Sequence, residues 1–170
     1  MKLVIAGFMG AGKTTLQESW KDEFPGKCLD LDHLIAEEVG VTRDRLGDWI
    51  EEVGFPEFRR AETKVLREIL QQNEHVLLAL GGGAFSEENQ EVIQGANAKS
   101  LWVNLDPEAC WDRVKDDSNR PLVKKGKESF LTLYKERLPL YKKADFTIMG
   151  TYPLPSWEEF CKSYQLGGEN

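Results

Sequence analysis

Cysteine and histidine are both scarce in this sequence, which limits the kinds of site that it can hold. The 170 residues include three cysteines, Cys28, Cys110 and Cys161, and no two of them form a CxxC pair. An odd, widely spaced set argues against a zinc site or a disulfide framework and favours free thiols in a reducing compartment. The two histidines, His33 and His75, are predicted to lie at the surface without a functional role.

Long apolar segments are missing as well. No run approaches the roughly 18 consecutive apolar residues that predict a membrane-spanning helix. The apolar stretch at residues 3–9 is short and Lys13 follows it closely, so we interpret it as a buried strand and not as a signal peptide. Without a targeting segment or a membrane partner, the expected location is the cytoplasm.

Basic charge is in deficit, with 22 Lys and Arg against 29 Asp and Glu and a net charge of −7. Nucleic acid is therefore not an expected partner, because a surface that binds it needs a basic stripe to displace counterions. The expected partner is a small molecule, bound by a monomer. If that molecule is an anion, a local cluster of Arg and Lys must hold it.

Short apolar segments of strand length alternate with helical patterns along the chain. Strands are predicted at 2–6, 27–31, 76–80, 101–105 and 146–149, and helices at 13–24, after 31, at 43–52, 56–72 and 86–94, after Asp106-Pro107, and at 155–164. This alternation predicts an α/β fold, with a central parallel sheet and helices on both faces, in a single domain over residues 1–170. The polar stretch 115–128 is either a mobile lid or, on composition alone, a solvated surface loop.

The strongest motif follows the first predicted strand and opens a helix. Residues 7–14 read GFMGAGKT and match the phosphate-binding pattern GxxxxGK[ST] in full. Backbone N–H groups of the loop and the helix N-terminus are expected to bind phosphate oxygens, Lys13 the β- and γ-phosphates, and the Thr14 hydroxyl magnesium. The motif predicts ATP and Mg2+ as cofactors. The residues expected to contact the nucleotide here are Gly10, Ala11, Gly12, Lys13, Thr14 and Thr15.

Many P-loop proteins place a magnesium-binding Asp at the end of a central strand, and this sequence does not. The predicted strand 76–80 is followed by Gly81-Gly82-Gly83. Asp30 and Asp32, at the end of the second predicted strand, are the candidate replacements. One carboxylate could hold a metal-bound water and the other a substrate hydroxyl. The alternative is that both only cap the helix that follows.

The chain resembles the shikimate kinase family over nearly its whole length, on six segments in the family's order. These are GFMGAGKTT at 7–15, DLD at 30–32, FRRAE at 58–62, GGGA at 81–84, RPL at 120–122 and ERLPLY at 136–141. The resemblance implies a P-loop kinase fold with a substrate-binding segment at about 33–62 and a lid at about 112–127. It also implies magnesium-dependent transfer of phosphate from ATP to a hydroxyl of shikimate, which yields shikimate 3-phosphate and ADP.

The resemblance assigns the substrate side of the site. Asp32 would hold ring hydroxyls beside the attacked one, and Arg59 and Arg137 would clamp the substrate carboxylate. Gly82 and Gly83 would bring bare backbone close to the substrate. The chemistry agrees, because a carboxylate is best bound by the planar, bidentate guanidinium of Arg.

The resemblance also assigns the nucleotide side. Asp30 would hold magnesium through water, and Arg120 would reach the phosphates from the lid. Arg113 and the loop near Pro155 would lie on the two sides of adenine. The residues implied to be catalytic are Lys13, Asp32 and Arg120.

Three positions depart from the family's pattern. Phe55-Pro56 follows Gly54 where the family usually has Glu, Gln17 stands where a small Gly is usual, and Ile50 replaces a pocket aromatic although Trp49 is adjacent. None removes a charged contact, so the departures concern substrate affinity and helix packing more than the type of reaction.

Two other functions stay open. A related P-loop kinase could act on another small hydroxy acid such as gluconate, since the arginine pair would still bind a carboxylate. A nucleotide-dependent binding module without transfer activity is the second, although a pure switch has no need of an acid that holds a substrate hydroxyl.

Overall fold

A computed structural model describes residues 1–118 and 120–166 of the chain. Position 119, within the predicted lid, and positions 167–170, at the end of the predicted domain, lie outside the described residues. Among the residues described, five parallel strands form one sheet in the order β2-β3-β1-β4-β5. The strands are β1 (Lys2–Ala6), β2 (Lys27–Asp30), β3 (Val76–Ala79), β4 (Lys99–Asn104) and β5 (Phe146–Met149).

Helices connect the strands. Two of them, over Pro121–Lys124 and Lys127–Tyr141, were not predicted from the sequence pattern, and several of the others differ from the prediction at their ends. They are α1 (Lys13–Trp20), α2 (Leu31–Val39), α3 (Leu46–Val53), α4 (Phe55–Gln72), α5 (Glu87–Gly95), α6 (Pro107–Val114), α7 (Pro121–Lys124), α8 (Lys127–Tyr141) and α9 (Trp157–Ser163). The predicted helix at 43–52 is divided into a single 3-10 turn, Arg43–Arg45, and α3. No described helix is long and apolar enough to cross a membrane.

The centre of the sheet is apolar on both faces. Leu3, Val4, Ile5 and Ala6 of β1 are each 0% exposed although successive side chains of a strand point to opposite faces. Helices must therefore cover both faces, which is why the strands read as continuous apolar runs and not as an alternating pattern. The predicted α/β class and parallel sheet are confirmed.

The parallel sheet brings three loops together. All strands point the same way, so the segments that follow β1, β2 and β3 leave the sheet at one edge. In an open α/β sheet this carboxyl edge is where ligands bind. Those segments are the loop 7–12, Asp30 with the first turn of α2, and Gly81-Gly82-Gly83.

Gln17, one of the departures from the family pattern, lies buried between α1 and the sheet. Its Nε2 donates to the carbonyl of Leu29 on β2 at 2.7 Å and to that of Leu77 on β3 at 2.8 Å. The side chain therefore fills the space that a glycine would leave and satisfies its own buried amide. Helix α1, which opens at the P-loop, is thereby tied to two strands.

Candidate active site

The loop between β1 and α1 has the backbone conformation of a phosphate cradle. Gly10 and Gly12 have φ values of +80° and +100°, which residues with a Cβ rarely adopt. A Cβ on Gly10 would also lie 2.7 Å from the carbonyl oxygen of Cys110 in α6. Glycine is thus required twice over at position 10, by conformation and by space. The loop ends at Gly12, the N-cap of α1, where the first backbone N–H groups of a helix are available to an anion.

Lys13 lies at the first position of α1 and turns back into this loop. Its Nζ donates to the carbonyl oxygens of Gly7 at 2.7 Å and Phe8 at 2.9 Å. Burial lowers the pKa of Lys13 to about 8, although the Asp32 carboxylate opposes this effect. The ammonium is therefore desolvated, and a phosphate oxygen would gain the full benefit of its charge.

Thr14 and Thr15 follow Lys13 with exposed side chains at the mouth of the loop. Asp30, at the end of β2, is the N-cap of α2, where its Oδ1 accepts from the His33 backbone N–H at 3.1 Å. Asp30 therefore does cap α2, and its role in holding magnesium stays a prediction. No group of three or more His, Cys, Asp or Glu that could bind a metal occurs in the described part of the chain. A hydroxyl and a carboxylate nevertheless suit magnesium that arrives with a nucleotide, because that ion keeps waters and phosphate oxygens as ligands.

Asp32 lies in the first turn of α2, and its carboxylate faces the glycine loop and not the helix N-terminus. Its two oxygens lie 3.0 and 3.3 Å from the position that a Cβ on Gly81 would occupy. Burial raises the pKa of Asp32, and the positive charges of Arg43, Lys13 and Arg59 oppose that rise. Asp32 is therefore a largely buried carboxylate surrounded by cations, which suits a group that accepts a proton.

Arg59 is held rigidly on α4 by a buried acid one turn along. Its Nη1 donates to both carboxylate oxygens of Glu62, at 2.7 and 2.9 Å, and the Glu62 side chain is 1% exposed. The Cζ of Arg59 also lies 5.0 Å from the ring centroid of Phe58 and 6.0 Å from that of Phe55. The guanidinium is thus oriented before any ligand arrives.

Arg137 reaches the same place from α8. Its Nη2 lies 2.9 Å from the position of a Cβ on Gly83, which Arg59 also contacts closely. The Nη1 of Arg137 is buried, and no hydrogen-bond partner for it lies within the described residues. Burial lowers the pKa of Arg137, and the Tyr141 hydroxyl beside it donates to the Gly82 carbonyl at 2.6 Å. An unpaired buried guanidinium nitrogen marks a place for an anion.

Gly82 connects this pocket to the P-loop. A Cβ on Gly82 would lie 3.3 Å from the Arg137 Nη1 and 3.5 Å from the Met9 backbone nitrogen. The pocket between the two arginines is therefore adjacent to the phosphate cradle, as the transfer of a group between two bound molecules requires.

Arg120 of the predicted lid immediately precedes α7. Its backbone is extended, as expected before Pro121, and its Nε donates to Asp117 Oδ2 at 2.8 Å. The charge of Arg120 contributes to the lowered pKa of Lys13, so the two cations lie within electrostatic range of each other. The structure thus places Arg120 on the P-loop side of the molecule.

Arg113 and Pro155 lie on segments that border the P-loop and α1. The Nη1 of Arg113 donates to the Gly10 carbonyl at 3.1 Å, and its Nη2 donates to the Gly150 carbonyl at 3.2 Å. The carbonyl of Pro155 accepts from Trp20 Nε1, at the other end of α1, at 2.8 Å. The segment after β5 is thereby held to the P-loop through Arg113 and to the end of α1 through Trp20.

One charged residue of the site is absent from the predicted set. Arg43, in the 3-10 turn after α2, donates through Nη2 to Asp32 Oδ2 at 3.1 Å. The sequence carries no signal for this contact, because Arg43 lies among Arg45, Asp44 and other charged residues that have the appearance of a solvated surface. Only the course of the chain after α2 brings Arg43 back to Asp32.

A glycine-built phosphate cradle at the carboxyl edge of a parallel sheet, next to an anion pocket with a carboxylate, defines the class of protein. It is a P-loop phosphotransferase that uses a nucleotide and acts on a hydroxyl group of a small molecule. A family model described as "Shikimate kinase" matches residues 9–164. The chain belongs to the shikimate kinase family.

Relatives and solved structures agree with this assignment. A shikimate kinase of Aromatoleum aromaticum is 33% identical over 153 residues, which cover 88% of this chain and 85% of that protein. A shikimate kinase of Acinetobacter baumannii, solved in complex with shikimate, has a TM-score of 0.78 at 30% identity. The match covers 96% of this chain and 90% of that protein. The shikimate kinase of Aquifex aeolicus has a TM-score of 0.79 at 25% identity, with coverages of 98% and 95%.

Proposed function

We propose that this chain phosphorylates a hydroxyl of shikimate with ATP and Mg2+, giving shikimate 3-phosphate and ADP. The observation that carries the proposal is the buried Nη1 of Arg137, which has no hydrogen-bond partner in the described part of the chain and lies beside Arg59 and the bare backbone of Gly82 and Gly83. Two converging guanidinium groups suit a carboxylate, and Asp32 borders the same glycine loop and suits a hydroxyl.

On the nucleotide side, the loop residues Gly10, Ala11 and Gly12 and the Thr15 hydroxyl would bind phosphate oxygens. Lys13 would contact the β- and γ-phosphates. Arg113 and the loop near Pro155 would lie on either side of adenine. Thr14, and Asp30 through water, would hold magnesium, which when bound neutralises phosphate charge.

The transfer itself needs alignment and charge neutralisation more than covalent help. The substrate hydroxyl oxygen forms a bond to the γ-phosphorus while the bond between that phosphorus and the β,γ-bridging oxygen breaks. The hydroxyl proton passes to the Asp32 carboxylate, and ADP leaves with the bridging oxygen. Lys13 and Arg120 would stabilise the negative charge on the transferring group.

The proposal includes the predicted organisation of the chain. Residues of about 33–62 would form the substrate-binding segment of a single domain, and residues of about 112–127 the lid. The predicted monomeric state is part of the same proposal, and size-exclusion chromatography with light scattering would test it.

The test is a coupled assay of ADP release with shikimate, with gluconate and with no acceptor, followed by mass spectrometry of the product. We expect ADP with shikimate, a product heavier by one phosphate, and neither in Lys13→Ala nor in excess chelator. Turnover of gluconate alone would assign the chain to a related kinase. ADP without acceptor would indicate an ATPase, and nucleotide binding without any ADP would indicate a binding module.

A further inference from the structure

Arg43 and Asp32 form an ion pair that joins two elements of the active site. The pair links the 3-10 turn to the first turn of α2 across 11 residues of sequence, with 3.1 Å between Nη2 and Oδ2. The Asp32 side chain is 22% exposed and that of Arg43 is 46% exposed. Most ion pairs among the described residues instead join neighbours three or four residues apart in sequence. Exposed pairs of that kind contribute little to stability.

The other charged groups that face Asp32 are committed elsewhere. They are Lys13 on α1, Arg59 on α4 and the like charge of Asp30 at the end of β2. Lys13 donates to two carbonyl oxygens of the P-loop, and Arg59 donates to both oxygens of Glu62. Within the described residues, Arg43 is the side chain that donates a hydrogen bond to the Asp32 carboxylate.

We propose that Arg43 is a positioning residue of this active site, which holds the Asp32 carboxylate in the orientation that accepts the proton of the acceptor hydroxyl. The inference rests on the proposed function. It adds to the site a residue that lies outside the arginine clamp, the P-loop and the lid.

The geometry explains how Arg43 would act without occupying the place of the substrate. A carboxylate has about four sites for hydrogen-bond donors, and Arg43 uses one of them at Oδ2. Both oxygens lie close to the glycine loop, with Oδ1 3.0 Å and Oδ2 3.3 Å from the position of a Cβ on Gly81. Arg43 can therefore fix the carboxylate through Oδ2 and leave Oδ1 available to the substrate hydroxyl.

The experiment compares Arg43→Gln with Arg45→Gln, a matched control in the same turn. Arg45 pairs with Asp48 at 2.9 Å, and both of those side chains are 69% exposed. Steady-state rates are measured at saturating ATP and neutral pH over a range of shikimate concentrations. In Arg43→Gln we expect kcat to fall about tenfold while the KM for shikimate changes much less, because a misoriented carboxylate impairs proton transfer more than substrate binding. Arg43→Lys should restore most of kcat, and Arg45→Gln should match the wild type.

Each outcome decides the question. A kcat for Arg43→Gln within twofold of that for Arg45→Gln would overturn the inference and make the pair a surface contact. A loss of kcat that Arg43→Lys does not reverse would also overturn it, since that pattern indicates a structural role. If Arg43→Gln lacks a cooperative melt, Arg43→Met replaces it. Wild-type protein that is inactive with shikimate contradicts the proposed function itself, whereas active wild type with unaltered Arg43→Gln contradicts only the role of Arg43.

Discussion

Arginine, and not lysine, occupies the three positions where the site meets or is expected to meet a carboxylate. Arg43 contacts Asp32, Arg59 is held by Glu62, and Arg137 keeps a buried nitrogen unpaired. A guanidinium is less strongly hydrated than an ammonium and presents its donors in a rigid fork, so it tolerates burial beside a carboxylate. Lys13 is the exception, because it serves as a point charge for phosphate.

The departure at Phe55 can be understood at this scale. Where the family usually has an acid, this chain has a ring that is 58% exposed with the Cζ of Arg59 6.0 Å from its centroid. A second acid at this position would compete with Glu62 for the guanidinium, whereas an aromatic ring supports it through a cation–π contact. The substitution therefore leaves the charge of the clamp available for a ligand.

The clamp predicts a separation between substrate and nucleotide binding. Arg59→Lys or Arg137→Lys keeps the charge and removes the fork, so we expect the Kd for shikimate to rise about 30-fold or more. The affinity for ATP should remain within twofold. Calorimetric titration of each ligand measures both quantities. Arg60→Lys is the matched control, since Arg60 is adjacent to Arg59 but pairs with the exposed Glu57.

The opposite pattern, with weaker ATP binding and unaltered shikimate binding, would mean that the two pockets have been assigned in reverse.

At the scale of the element, the segment from α6 to α8 differs from a plain surface loop. It includes α7, whose first residue is Pro121 and whose Val123 is buried, so the segment is partly anchored to the core. Arg120 immediately precedes this helix, and its extended backbone gives the side chain a defined direction. A charged stretch can thus hold one arginine in a fixed relation to the P-loop.

This arrangement predicts that Arg120 acts mainly in the transition state. Arg120→Ala should lower kcat by about 10³-fold, by analogy with arginine fingers, and should change the KM for shikimate much less. Rapid-quench or coupled kinetics give both values. Lys115→Ala is the control, because Lys115 lies in the same segment and pairs with the exposed Asp112.

The lid interpretation adds a second readout. Limited proteolysis of the segment should slow when nucleotide and shikimate are both present. A normal kcat in Arg120→Ala, with cleavage that ligands do not alter, would return the segment to a solvated surface loop.

At the scale of the whole molecule, an acidic protein gathers its cations at one edge of the sheet. The net charge is −7, yet Lys13, Arg43, Arg59, Arg120 and Arg137 all belong to segments that surround the carboxyl edge or face it. Concentrating positive charges in a partly buried site lowers the free energy of unfolding of the ligand-free protein. The same charges favour the binding of an anionic ligand.

Lys13 allows this cost to be measured. Its pKa is about 8 in the folded protein and is expected to have the ordinary lysine value of 10.5 in the unfolded chain, so the unfolded chain binds more protons between these values. Burying the charged lysine therefore costs stability fully below pH 8, and the cost is relieved as the pH rises toward 10.5. We expect Lys13→Met to abolish turnover yet raise the free energy of unfolding at pH 7 by about 1–3 kcal/mol.

Urea denaturation of Lys13→Met and the wild type from pH 6 to 10.5 checks the sign. The difference should be largest at pH 6–7 and should shrink above pH 8. Lys21→Met is the control, since Lys21 is exposed and pairs with Glu18 on the surface. A variant that is less stable than the wild type at pH 7 would show that the contacts of Lys13 with Gly7 and Phe8 outweigh its desolvation.

Some secondary structure could not be recognised locally. Helix α8 was missed because its buried residues, Phe130, Tyr134 and Tyr141, are interspersed with charged ones and Pro139 lies inside it. Helix α1 ends at Trp20 and not at residue 24, where a turn leads to Pro25. In both cases packing against the rest of the protein, and not local periodicity, sets the helix.

Features that depend on residues close together in the chain can be predicted from the sequence. The P-loop is one contiguous motif whose glycines and lysine act within eight residues, and Asp106-Pro107 marks the start of α6. The continuous apolar strands likewise predict a sheet that is covered on both faces. Which distant side chains meet, in contrast, depends on the tertiary structure. Three examples are the contact of Arg43 with Asp32, the convergence of Arg59 and Arg137 on Gly83, and the hydrogen bonds of Gln17 to two strands. The spacing of these residues along the chain does not predict that they meet, because only the path of the folded backbone brings them close together.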